Sequence, residues 1–179
     1  MKLPSTCQES DLRPSRSKAS QQVWLGPCWK EAMQYSNYDR CTDRLKGTIN
    51  NAHALARRRC DDAVWPEHLF VSLDCGGCAN EALRRLGLSL PDLQKTFVAH
   101  LRCGTSERSE LELDDRSVSV LDHANDFAES LGHSYRGTEH LIWGLVEVSS
   151  PVSWFLKTQG LTSEAIREVV LELLGRGID

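Results

Sequence analysis

The sequence predicts an all-α domain built from two four-helix repeats about a pseudo-twofold axis, and three observations carry that expectation. Asp43, Arg44, Ala52, Ala56, Glu67, His68, Leu69 and Leu73 return 72 residues later as Asp115, Arg116, Ala124, Ala128, Glu139, His140, Leu141 and Leu145. Past one inserted residue the echo continues at an offset of 73, from Leu83, Gly87, Leu88 and Leu101 to Leu156, Gly160, Leu161 and Leu174. An internal duplication of this length is one supersecondary unit used twice and packed on itself. Apolar residues recur at helical spacing in both copies, and no segment alternates with period two for long enough to make a strand.

In the first copy, Leu45, Ile49, Ala52 and Ala56 share one helix face, and the run ends in Arg57-Arg58-Arg59, cations suited to a helix C-terminus. Pro66 opens a short second helix, since proline is favoured in a first turn where its missing N–H costs nothing. A third helix is expected over about 79–86. The fourth starts after Ser89 as N-cap and presents Leu90, Leu93, Phe97 and Leu101 on one side.

The second copy repeats the plan with clearer punctuation. Val118, Leu121, Ala124, Ala128 and Leu131 line its first helix, which stops at Gly132. Thr138 is expected to cap the second helix, Ser150-Pro151 to open the third, and Thr162 or Ser163 to open the fourth, with Ile166, Val169, Val170 and Leu173 inward. Gly104 to Asp114 reads as a polar, charged connector. The expected boundaries are an extension over 1–41 and a domain over 42–176, with one repeat at about 42–103 and the other at about 114–176. Residues 1–20 read as a partly disordered polar tail. Val23-Trp24-Leu25-Gly26-Pro27-Cys28-Trp29 is too apolar for a free linker and is expected to pack on the domain or on a partner.

Composition is that of an ordinary globular protein, 40% hydrophobic and 26% charged with a net charge of −4, and no apolar run is long enough to cross a bilayer. The start, Met1-Lys2-Leu3-Pro4-Ser5-Thr6, lacks the apolar stretch of a secretory signal, and Glu9 and Asp11 interrupt the Ser- and Arg-containing stretch, so the expected location is the cytoplasm. Residues 110–179 hold 5 Lys and Arg against 13 Asp and Glu. That acidic half argues against nucleic acid and for cationic partners, or simply for a solvated surface.

Leu131-Gly132-His133-Ser134-Tyr135-Arg136-Gly137-Thr138-Glu139-His140-Leu141 and Leu173-Leu174-Gly175-Arg176-Gly177 resemble the Clp N-terminal repeat domain in its ClpC-like form. The resemblance covers about residues 42–176. It implies an eight-helix bundle that receives adaptors or marked substrates for Clp unfoldases, here free-standing, with no cofactor, no membrane and no nucleic acid. Its expected partners are Clp unfoldase or protease subunits and adaptor or substrate proteins. No Gly-x-x-x-x-Gly-Lys-Ser/Thr occurs in these 179 residues, so the backbone nest and lysine that hold a nucleotide are absent and the chain is not expected to be an enzyme.

The resemblance also implies a ligand site. A hydroxyl, a carboxylate and helix-start amides gathered at Thr138 and Glu139 suit a group with both signs of charge, and in ClpC-like members these positions hold phosphorylated arginine, with the Glu on the guanidinium. In the first copy Glu67 is kept but Pro66 replaces the Thr, so that site is expected to be weaker. On the residues alone, Thr138 could equally be a plain N-cap and Glu139 a dipole-favoured first-turn acid. His68 and His140 read as packed, hydrogen-bonded helix residues rather than as metal ligands. Cys75-Gly76-Gly77-Cys78, with Cys60 and Cys103, has zinc or dithiol spacing. Opposite the pair stand Glu147 and Ser150, and no βαβ pattern flanks it, so free thiols and no metal are the expectation. Two further readings stay open: an accessory protein that stabilises a Clp protease core, and a cysteine-based zinc or redox protein.

Overall fold

The structure is a computed structural model that describes residues 38–99, 101, 103–108 and 110–175. The extension, including the Val23–Trp29 stretch, lies outside the described residues except for its last four positions. A 3₁₀ turn, Tyr38–Arg40, leads into α1 (Asp43–Arg58), α2 (Pro66–Val71), α3 (Cys78–Arg85) and α4 (Leu90–Val98). The second copy supplies α5 (Asp115–Ser130), α6 (Thr138–Glu147), α7 (Pro151–Thr158) and α8 (Ser163–Leu174). The described residues contain no strand, only two isolated bridges.

Those two bridges expose the pseudo-symmetry. Cys41 pairs with Arg136 and Leu113 pairs with Val64, both in parallel sense, and each pair maps onto the other under the 72-residue shift. The Thr42 N–H donates to the Arg136 carbonyl at 2.8 Å, while the Asp114 N–H donates to the Val64 carbonyl at 3.0 Å. The start of the first helix in each copy is thereby fastened beside the start of the second helix in the other. Packing follows the same exchange: α1 lies on α6 and α2 on α5, while α3 lies on α6 and α2 on α7.

The core is continuous across the copies. Phe70 of α2, Phe97 of α4 and Phe155 of α7 form a ring cluster with centroids 5.2 to 6.3 Å apart. Ile49, Leu69, Leu83 and Leu90 of the first copy join Leu121, Leu141, Leu145 and Leu156 of the second in one buried set. α5 packs extensively on α6. There, a Cβ on Gly144 would sit 2.3 Å from the Val120 carbonyl oxygen, so only glycine permits the approach.

All eight expected helices form, the fourth ending at Val98 before Leu101, and four details differ from the expectation. Val118 is 36% exposed, and the buried place on that turn belongs to Ser117. A serine stands inside because its hydroxyl donates to the Val64 carbonyl at 2.7 Å, reinforcing the inter-copy bridge. The N-cap of α6 is Gly137, and Thr138 is the first helical residue. The connector is anchored rather than merely polar: Gly104 and Ser106 donate to the Arg59 and Cys60 carbonyls, and Leu111 is buried. Matching helix starts also sets Cys78 opposite Pro151 rather than Ser150. Among the described residues no three His, Cys, Asp or Glu side chains gather as a ligand set, and no helix is long and apolar enough to cross a membrane.

Two measurements test this packing. Gly144→Ala forces a methyl group into a backbone carbonyl and is expected to cost about 3 kcal/mol, the upper range for overpacking, in urea unfolding. His53 is fully buried in α1, and burial, with the nearby Arg57 cation adding, pulls its imidazole down from 6.5 to about 4. The unfolded chain takes up this proton first as pH falls, so stability is lost between those two values, by up to about 3 kcal/mol. His53→Asn, which places the residue found at the equivalent position 125, is expected to flatten that pH dependence even where it lowers stability throughout.

Candidate functional site

Residues from both copies enclose a cleft of about 590 Å³. Three helix starts meet there. Thr42, Asp43 and Arg44 open α1, Cys78 opens α3, and Gly137 to His140 open α6; the Gly132–Tyr135 loop and Leu174 complete the wall. The first amides of a helix have no acceptor within it, so this convergence concentrates donors and positive dipole ends in one place.

Glu139 lies at the base, 6% exposed, with its carboxylate folded back over Gly137. A Cβ on Gly137 would fall 2.1 Å from Glu139 Oε1, so a side chain at 137 would expel the carboxylate from this position. Burial opposes the ionisation of Glu139. The His140 ring, whose Nδ1 is 3.0 Å from Oε1, outweighs that penalty with help from His133 and holds the carboxyl below the usual range.

His140 is also the cap of its own helix. Its Nδ1 lies 3.0 Å from the Gly137 amide nitrogen, and its Nε2 lies 2.9 Å from His133 Nδ1. His133 Nε2 in turn sits 2.9 Å from the Gly175 carbonyl oxygen, which ties the end of α8 to the cleft. Both copies use this histidine alike, since the Trp65 amide donates to His68 Nδ1 at 2.9 Å. The packed, hydrogen-bonded role expected for His68 and His140 is therefore what the structure shows, with the difference that His140 also touches Glu139.

Thr138 lines the cleft, and its hydroxyl is engaged with the other copy. Its Oγ1 accepts from the Ala79 N–H at 3.4 Å, so it caps α3 of the other copy, and the residue is 1% exposed. The hydroxyl at the cleft that the sequence reading missed is Thr42. Its Oγ1 accepts from the Leu45 amide at 3.3 Å, which leaves the hydroxyl hydrogen available. The signal was present, because a threonine before Asp43 is an N-cap pattern in its own right.

Glu67 occupies the backbone position equivalent to Glu139, second in its helix, but in different surroundings. Trp65 stands where the other copy has Gly137, Asp61 where it has His133, and Asp114 where it has Thr42. Asp61 takes His68 Nε2 at 2.8 Å, and Asp114 spends its carboxylate on the Arg116 amide at 3.0 Å. Glu67 Oε2 is buried without a hydrogen-bond partner. Burial pushes its carboxyl up, and Asp114 and Asp61 add to this against Arg116. Cys75 and Cys78 are exposed free thiols, both pushed up by burial of the sulfur, with Asp74 and Glu139 respectively adding to the effect.

A model of the Clp repeat (R) N-terminal domain matches residues 40–159 and 112–178. The ClpC/MecB negative regulator of genetic competence from Bacillus subtilis is 30% identical over 141 residues, 77% of this chain and 17% of that protein. The chaperone ClpB of Oceanobacillus iheyensis is 29% identical over 141 residues, again 77% of this chain and 17% of the relative. The chain thus spans 17% of the length of these curated relatives. The N-terminal domain of Hsp104 from Candida albicans superposes with a TM-score of 0.66 at 22% identity, covering 78% of this chain and 95% of that one, a likeness of fold.

The two glutamates should respond oppositely to neutralisation. A carboxyl held up by burial destabilises the fold above its unfolded value, whereas one held down adds stability there, present above the unfolded value and lost as pH falls through the folded one. At pH 7, Glu67→Gln is expected to raise stability by up to about 1 kcal/mol and Glu139→Gln to lower it by a similar amount, as read by urea unfolding. Equal signs would contradict the contrast drawn between the two sites.

Proposed function

We propose that this chain, which belongs to the Clp repeat N-terminal domain family of protein-binding modules found in Clp chaperones, receives protein partners through the cleft at Glu139. The family membership rests on the two-repeat match. The ligand group that suits the cleft carries both charges. Glu139 would take a guanidinium, and the amides at the starts of α1 and α6, with the Thr42 hydroxyl, would take a phosphoryl group. Phosphoarginine on a substrate or adaptor has that form.

The observation that carries this reading is one buried carboxylate set among three converging helix starts. A carboxylate so placed asks for a cation, and the dipole ends around it ask for an anion. Thr138 would contribute only its backbone amide. At Glu67, Pro66 removes an amide, Trp65 stands in place of Gly137, and Asp114 already occupies the helix start with its own negative charge, so binding there would be weak. The partners would be marked substrates, adaptors, or the unfoldase and protease subunits of a Clp system, and the role would be non-catalytic.

Calorimetry with phosphoarginine tests the proposal. Glu139→Ala is expected to weaken binding by roughly ten- to a hundredfold, the loss of a charge-assisted partner, and Glu67→Ala by far less. Equal losses would contradict the ranking of the sites. No detectable binding by the unmodified protein would remove the phosphoarginine reading and leave the accessory role in a Clp protease core as the better account.

A further inference from the structure

Nδ1 of His140 is asked to do two incompatible things. It lies 3.0 Å from the Gly137 amide, which needs a lone pair, and 3.0 Å from Glu139 Oε1, which needs a proton. The rest of the chain of contacts removes the freedom to choose. The Gly175 carbonyl can only accept, so His133 Nε2, at 2.9 Å, carries a hydrogen, and a neutral His133 then offers a lone pair at Nδ1. His140 Nε2, 2.9 Å away, must therefore carry its hydrogen as well. In the neutral ring this leaves Nδ1 bare, with its lone pair against a carboxylate oxygen. The arrangement is attractive only when one additional proton sits between Nδ1 and Oε1.

We infer that in the empty cleft Glu139 is held by a proton on His140, and that a ligand cation takes the place of this proton, so that cation binding releases it and strengthens as pH rises. The inference rests on the cleft being a cation site, the part of the proposed function that concerns Glu139. When a guanidinium pairs with Glu139, the ring reverts to its neutral form, Nδ1 regains the lone pair that accepts the Gly137 amide, and the proton goes to solvent. His140 is a positioning residue here, because it acts through Glu139 and does not touch the ligand.

The first copy supplies an internal control. His68 Nδ1 faces the Trp65 amide at 2.9 Å, its Nε2 faces Asp61 at 2.8 Å, and Glu67 is left with an unpartnered oxygen. The same ring in the same place is there committed to Asp61. The other titratable or charged groups around the second cleft are His133 beside the ring, Tyr135 on the loop before Gly137, Asp43 and Arg44 at the start of α1, and Cys78 at the start of α3. Arg44 is paired with Asp74, and none of the five presents a proton to Oε1 as His140 does.

Two probes separate this inference from the phosphoarginine reading: phosphoarginine, and methylguanidinium, which has the cation without the phosphate. Calorimetry of the full chain in buffers of different ionisation enthalpy gives the protons released per ligand bound. Proton release that diminishes as pH is raised from about 6 to about 8 is expected, with affinity rising by up to tenfold for each pH unit while release persists. Independently of any ligand, NMR titration of His140 should show its pKa falling in Glu139→Gln, while His68 stays unchanged. Binding of either probe without proton release, or a His140 titration indifferent to Glu139→Gln, overturns the inference. Proton release with methylguanidinium but no binding of phosphoarginine upholds it and removes the phosphate from the proposed function. If neither probe binds, the titration of His140 in the two proteins decides.

Discussion

The structure depends on the reciprocal exchange of backbone hydrogen bonds between the copies. Arg136 receives the Thr42 amide and gives its own amide to the Arg40 carbonyl at 3.0 Å, while Val64 receives the Asp114 amide and donates to the Glu112 carbonyl at 2.8 Å. Four short bonds in two symmetric pairs cannot hold a domain of this size, since each nets on the order of 1 kcal/mol. Their importance is positional. By fixing the chain just before the first helix of one copy against the chain just before the second helix of the other, they make the surroundings of each glutamate a property of both copies. The apolar core supplies the energy. The bridges decide which helix starts become neighbours.

Once the backbone is symmetric, the chemistry of the two sites is free to diverge, and it has done so through a few side chains. At one end Gly137 leaves room for Glu139 to fold over the helix start, and His133 passes the ring of His140 on to Gly175. At the other Trp65 stands in place of Gly137, and Asp114 and Asp61 act on Glu67 against Arg116. The result is one carboxyl held down and one pushed up at equivalent positions. Identical backbone placement therefore does not imply identical affinity, and the second site is the better candidate on electrostatic grounds as well as on the presence of Thr138 in place of Pro66.

Much of this was legible in the sequence because duplication turns a fold problem into an alignment. The constant offset gave the repeat, the 3.6-residue period gave the helices, and Glu67 and Glu139 fell at matching helix positions. What escaped was anything set by contact between the copies. Thr138 reads as a good N-cap, but its hydroxyl is drawn to α3 of the other repeat, and the histidine three residues after Gly137 supplies the cap instead. Val118 continues an apolar period, yet Ser117 is buried because a carbonyl from the first copy needs a donor there. Thr42 lies far from Glu139 in sequence and the inter-copy bridge brings it near, while His133 sits on a loop of the same copy without a period. The exchange of Asp61 for His133 at the same offset was a readable hint that the two histidine caps differ.

A carboxylate as buried as Glu139 also constrains how such a cleft can exist without a ligand. An ionised group at that depth with no counter-charge would cost several kcal/mol, enough to unseat the side chain or to drive it neutral. A carboxyl that had gone neutral would no longer attract a cation strongly. Keeping Glu139 ionised and in place in the empty cleft therefore requires a resident positive charge, and for the cation site proposed above one that is easily given up. A lysine or arginine would be too permanent, because it would compete with every cationic ligand at all physiological pH values. An imidazole can carry a positive charge and surrender it as a proton, and the second repeat has one within 3.0 Å of the carboxylate.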